Sequence, residues 1–128
     1  MEHTGCITCH NGATVGGGMF QKPGLVKPYP VEDAGRFGVT GNEQDRQVFK
    51  VPSLRNVAET GPWFHDGSIR ELDRAIRIMA EHQLGRTLDD GQVASIRTFL
   101  GSLTGRVDEA YAARPELPAS GLRTPGPR

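Results

Sequence analysis

Cys6-Ile7-Thr8-Cys9-His10 holds both cysteines of a 128-residue chain, and its spacing decides what the rest of the fold must enclose. In a C-x-x-C-H run the two thiols can add to the two vinyl groups of one haem while the adjacent imidazole reaches the iron from the same side. Two intervening residues let both sulfurs face one porphyrin edge. Three other chemistries use the same residue types. A structural zinc site takes four Cys or His ligands, and after the pentapeptide only the distant His65 and His82 remain. A thioredoxin-like redox pair opens a helix after a strand of a βαβ unit, whereas almost nothing precedes Cys6. A disulfide across so short a loop would be strained and would cross-link little chain. Covalent attachment of one haem c through Cys6 and Cys9, with His10 on the iron, is the favoured reading.

Composition bounds the container. The length allows one small domain, and 36% hydrophobic residues with 17 Gly and 9 Pro imply many turns and a thin apolar core. A large flat cofactor can complete such a core with its own apolar surface. Fifteen basic and fifteen acidic side chains give formal net zero, which argues against nucleic acid or an anionic membrane as partner. No apolar run approaches the roughly 20 residues that span a bilayer. Bacterial haem c is normally made after export, yet the sequence shows no charged n-region followed by an apolar h-region. A periplasmic setting and origin in a longer exported protein reconcile the two. Small c-type cytochromes also open with a helix before the haem motif. Met1 to Gly5 are too few to form one, so that helix is expected upstream.

From Asn11 to about Gly67 there is little periodicity, and glycine and proline recur throughout. Such a stretch fits loops wrapping a ring, with Phe20, Leu25, Phe37, Val51, Leu54, Val57, Trp63 and Phe64 turned inward. Order sharpens after Gly67. Ser68 and Glu71 have capping-box spacing, Leu72, Ile76 and Met79 share a helical face, and Gly85 offers a C-cap. A second helix is predicted from Thr87–Asp90, burying Val93, Ile96, Phe99, Leu100 and Leu103 and stopping at Gly105. The expected fold is therefore all-α: a cytochrome c-like haem domain over residues 1–106, with few helices and long haem-wrapping loops. A Pro/Gly-rich tail follows over 107–128, its last ten residues disordered or a linker.

What occupies the second axial face separates electron transfer from peroxide chemistry. Methionine thioether favours Fe(II), raises the potential and leaves no open position. Met19 lies close in sequence to His10 and would need a tight loop to reach the opposite face; Met79 sits on the inward face of a helix after a long wrap and is preferred. His82 falls off that face and is expected to be solvated. His65, in Phe-His-Asp-Gly, is expected to bond locally or touch a haem edge. Arg55 is a candidate propionate partner or a loop-capping arginine, and Trp63 and Phe64 are candidate ring neighbours. Lys22, Lys27 and Lys50 are read as solvated rather than as a docking fringe.

Several blocks carry a resemblance. Cys6-x-x-Cys9-His10-x-Gly12, Phe20-Gln21-Lys22-x-Gly24, Asp33-x-Gly35-Arg36-Phe37, Phe49-Lys50-Val51-Pro52-Ser53-Leu54-Arg55-Asn56-Val57, Phe64-His65-Asp66-Gly67-Ser68, Met79-x-x-x-Gln83-Leu84-Gly85 and Phe99-Leu100-x-Ser102-Leu103-Thr104-Gly105 occur in order. Together they resemble the C-terminal haem domain of bacterial di-haem cytochrome c peroxidases. The resemblance implies a high-potential haem with a methionine ligand at the position of Met79. It implies electrons taken from a small cytochrome or cupredoxin and passed to a peroxidatic haem in an N-terminal domain, where hydrogen peroxide is reduced to water. It also implies a calcium ion between the domains, partly on the backbone carbonyls of Thr60 and Pro62, and a homodimer. Related di-haem enzymes that oxidise tryptophan side chains have tyrosine at the methionine position, so Met79 favours the peroxidase branch. The peroxidatic domain is missing from these 128 residues, so this chain alone is expected to carry electrons rather than cleave peroxide. A free-standing mono-haem carrier is the alternative.

Overall fold

The computed structural model describes residues 5–106, 108–116 and 121. Two thirteen-residue helices form its frame. Counted in chain order, the regular elements are strand β1 (Phe20–Gln21), helix α1 (Phe37–Thr40), strand β2 (Phe49–Lys50), helices α2 (Leu72–Leu84) and α3 (Asp90–Ser102), and a short helix α4 (Glu109–Ala112). Loops make up most of the remainder. The helical, loop-rich architecture matches the expectation in outline. It also contains an antiparallel pair that an all-α description omits, with Phe20 opposite Lys50 and Gln21 opposite Phe49.

α3 forms where its residues require it. Asp89 accepts the Gln92 N–H at 2.8 Å, and the Gln92 side chain accepts the Asp89 N–H at 3.0 Å, a reciprocal capping box. Val93, Ile96, Leu100 and Leu103 then recur at helical spacing and pack with Ile76, Ala80 and Leu88 into one core. Phe99, expected in that stripe, is 38% exposed; it falls on the flank of the face that the other four define. The helix ends at Ser102, before Gly105. Asn56 closes this end, its N–H reaching the Leu103 carbonyl at 3.2 Å and its side-chain oxygen accepting the Gly105 N–H at 2.7 Å.

The start of α2 differs from its expected cap. Asp66 takes the Ser68 N–H at 3.0 Å, and this bond holds the Asp66 carboxyl below its usual range. Trp63 and Ile69 pair as an antiparallel bridge and keep the chain extended beyond Ser68. Glu71 becomes the N-cap, with no side-chain cap bond. Gly85, in the left-handed region at φ 64°, closes the helix as expected. Arg77 and Arg97 tie the helices together at the surface, through Asp90 and Asp73. Within the predicted tail, Asp108 caps α4 by accepting the Ala110 N–H at 2.9 Å; residues 117–120 and 122–128, and with them nearly all of the expected disordered end, lie outside the described residues.

Replacing Asp89 by Ala removes half of the α3 capping box and is expected to lower stability by about 0.5–2 kcal/mol. Urea unfolding followed by far-ultraviolet circular dichroism measures it; an unchanged midpoint would mean that the cap contributes nothing.

Candidate haem site

The pentapeptide is wound into a tight turn. Cys6–Thr8 form a 3₁₀ turn entered through Gly5 at φ 86°, and the N–H groups of Cys9 and His10 both return to the Cys6 carbonyl, at 3.3 and 3.0 Å. In such a turn residues three apart eclipse one another, which brings Cys6 and Cys9 to one side. No disulfide joins them. Asn11 locks the turn from below, its side-chain amide donating to the Ile7 and Thr8 carbonyls at 3.3 and 3.1 Å.

Next to this turn lies a cavity of about 440 Å³. Cys6, Cys9 and His10 line it, as does Met79 from α2, and apolar side chains including Val51, Leu54, Val57, Leu72, Ile76 and Leu100 supply most of the remaining wall. Trp63 and Phe64 also line it. The Trp63 indole N–H donates to the Val57 carbonyl at 2.8 Å, and Phe64 meets the Tyr29 ring edge-on at 5.5 Å. Thr60 and Pro62 lie at the same wall.

His10 is held from behind by a close approach of two chain segments. The Leu54 N–H reaches the Val15 carbonyl at 3.0 Å, the Gly17 N–H reaches the Val51 carbonyl at 3.0 Å, and the Ser53 hydroxyl donates to the Thr14 carbonyl at 2.6 Å. Gly16 at φ 120° makes this possible: a Cβ there would lie 2.2 Å from the Pro52 carbonyl oxygen and 3.1 Å from His10 Nδ1. Burial holds the His10 imidazole below its ordinary range, against the opposing pull of the Pro52 and Val15 backbones. Neither backbone completes a sound hydrogen bond to Nδ1, which is buried without a partner. A neutral ring keeps a lone pair for a metal, and metal-bound imidazoles turn their other nitrogen to a carbonyl; Pro52 is placed to be that carbonyl.

The methionines separate. Met79 lines the cavity, whereas Met19 does not; its carbonyl accepts the Val51 N–H at 2.9 Å. His65 stands at the cavity over the Phe49 ring, 4.2 Å between centroids. His82 is half-buried rather than solvated, with Nδ1 3.0 Å from the carbonyls of both Lys27 and Pro28. Arg55 stays outside the cavity and caps a loop, donating to the Ala13 carbonyl at 3.0 Å. Three side chains expected to turn inward do not. Phe20 and Leu25 are 49% and 54% exposed, and Phe37 lies beneath the Arg46 guanidinium at 3.9 Å. Strand alternation explains the first, because it is Gln21 that lines the cavity. Lys50 borders the cavity, whereas Lys27 pairs with Glu81.

Sequence reasoning passed over Tyr29, Gln83 and Arg86, which also line the cavity. Only Gln83 carried a signal, standing four residues after Met79 on one helical face. Among the described residues no group of three or more His, Cys, Asp or Glu is placed to hold a metal ion. The cavity instead fits a haem, with two sulfurs and an imidazole on one side, a thioether among its lining side chains and apolar walls between.

No protein-family model matches the sequence. Comparison with curated proteins is more informative. The chain is 48% identical over 124 residues to cytochrome c551 peroxidase of Nitrosomonas europaea, covering 95% of this chain and 36% of that protein. It is 43% identical over 129 residues to cytochrome c551 peroxidase of Pseudomonas aeruginosa, covering 97% and 37%. Among solved structures, a MauG-like protein associated with microbial copper homeostasis aligns with TM-score 0.65 and 25% identity over 82% of this chain and 44% of that one. The class is thus a haem protein of the cytochrome c type, with haem c as the implied cofactor. Over nearly its whole length the chain is homologous to bacterial cytochrome c peroxidases, and it spans little more than a third of the length of the two named.

Gly16→Ala is expected to force Pro52 away from His10 and to cost about 1–3 kcal/mol. Chemical unfolding, together with the yield of covalently bound haem, measures this; parental stability and yield would contradict the close approach.

Proposed function

We propose that this chain is the electron-accepting haem domain of a di-haem peroxidase that reduces hydrogen peroxide to water. Cys6 and Cys9 would hold the haem through thioether bonds, and His10 and Met79 would be the ligands of its iron. The observation that carries the reading is the convergence of these four residues on one apolar cavity, with Met19 excluded from it. Bound there, haem c supplies a one-electron Fe(III)/Fe(II) couple.

The chain's own residues set the character of the site. The pentapeptide turn presents both sulfurs to one edge, and Gly16 and Pro52 support a neutral His10 from behind. With Met79 as a ligand the iron would keep no open position, and peroxide cleavage requires one together with a nearby acid or base. The mostly apolar wall would give the ring a low-polarity surrounding. An electron relay follows rather than a catalytic centre, fed by a small cytochrome or cupredoxin and emptied into a peroxidatic haem in an N-terminal domain. The Thr60 and Pro62 carbonyls would complete a calcium site together with that domain, and the intact protein would be periplasmic and dimeric. No helix among the described residues is long and apolar enough to cross a membrane.

The test is expression in an exporting host with haem-maturation machinery. Haem should stay with the protein through acid–acetone extraction, and the ferric form should show the weak far-red thioether-to-iron band. Met79→Ala should abolish that band and Met19→Ala leave it intact. The reverse pattern would assign the other sulfur, and extractable haem would remove covalent attachment. Rapid peroxide turnover by the parent chain would contradict a closed site. A gene without a second C-x-x-C-H about one domain upstream would favour the mono-haem carrier.

A further inference from the structure

The last turn of α2 is held by chain far away in sequence. Gln83 lies one turn beyond Met79 on the same face, and both line the cavity. Its carboxamide bridges two backbone groups of the 22–25 loop: Oε1 accepts the Leu25 N–H at 3.0 Å and Nε2 donates to the Lys22 carbonyl at 3.0 Å. His82 Nδ1 lies 3.0 Å from the carbonyls of Lys27 and Pro28; since both are acceptors, Nδ1 carries the hydrogen. In return the His82 carbonyl accepts the N–H groups of Val26 and Lys27 at 3.0 and 3.1 Å. A Cβ on Gly85 would lie 2.9 Å from Val26 Cγ1, so the loop seats directly on the helix cap.

Past Ala80 the core rejoins the chain only at Leu88, beyond the end of the helix. Ala75, Ile76 and Ala80 are the buried residues of α2, and beyond Ala80 the helix is fixed by loop 22–28. Met79 therefore stands where control passes from core packing to polar ties.

We propose that Gln83, supported by His82, is a positioning residue for Met79: its bridge to loop 22–25 determines how firmly the thioether closes the sixth iron position. The inference rests on the His10/Met79 ligation proposed above. A thioether is a neutral ligand that a nitrogen base can displace when its helix turn swings away. Such a swing must exchange both Gln83 bonds, to the Leu25 N–H and the Lys22 carbonyl, for bonds to water, at the modest net cost of two exposed hydrogen bonds. Glutamate keeps the acceptor for Leu25 but has no donor for Lys22; leucine supplies neither.

The test uses the full chain carrying haem, with imidazole as the probe ligand. Gln83→Leu is expected to bind imidazole about tenfold more tightly than the parent, the change expected from losing two modest hydrogen bonds, and to weaken the far-red band at unchanged haem content. Gln83→Glu should fall between, and it carries the comparison if the leucine variant does not fold. Val93→Ala, which removes core volume from α3 away from cavity and loop, should lower the unfolding midpoint yet keep the parental imidazole affinity. Parental affinity and band in both Gln83 variants would overturn the positioning role, as would an equal rise in Val93→Ala. Met79→Ala separates the two readings: a band that survives it sinks the ligation and the positioning together, whereas a band lost there but untouched in the Gln83 variants sinks the positioning alone.

Discussion

The structure depends on a cavity that its own side chains do not fill. α2 and α3 bury one seam against each other, and that seam, from Ile76 and Ala80 to Val93, Ile96, Leu100 and Leu103, supplies six of the ten buried hydrophobic side chains among the described residues. The other wall is loop. Residues 49–65 hold their course by local and long-range polar ties, among them Trp63 to the Val57 carbonyl, Ser53 to the Thr14 carbonyl and Asn56 to the end of α3. Many of their apolar side chains line a space of about 440 Å³. Protein interiors are close-packed, so a fold organised around such a space is organised around an occupant. The pentapeptide at its edge names the kind of occupant.

That constraint gives the surrounding features a common purpose. A thin core with 17 glycines is poorly suited to stand alone but well suited to let two backbones meet behind an imidazole, as Gly16 and Pro52 do. Burial lowers the pKa of His10, and the same low polarity would favour the reduced, less charged state of an iron centre held there. Loop 22–28 then completes the arrangement by seizing the end of α2 beyond Ala80.

Legibility in the sequence followed the range of the interactions. α3 was readable because its start near Thr87–Asp90 and its apolar stripe lie within one stretch of chain. The first turn of α2 was not, because Asp66 and the Trp63–Ile69 bridge compete for the residues that a capping box would use. The loops gave even less. Gln83 reaches partners 58 and 61 residues away, and Arg55 reaches Ala13 across 42, contacts that no local pattern announces. The Cys6-x-x-Cys9-His10 spacing was legible because its chemistry is local. The preference for Met79 over Met19 followed from the helical face it shares with Leu72 and Ile76, and that face does border the cavity.

Amide hydrogen exchange, compared between the haem-bearing chain and the same chain made without haem, tests the central claim most directly. Organisation around a bound ring predicts that amides of residues 49–65 exchange far more slowly when haem is present, while the α3 seam changes little. Equal protection of residues 49–65 in both forms would show that the loops hold themselves and that the cavity is not what orders the fold.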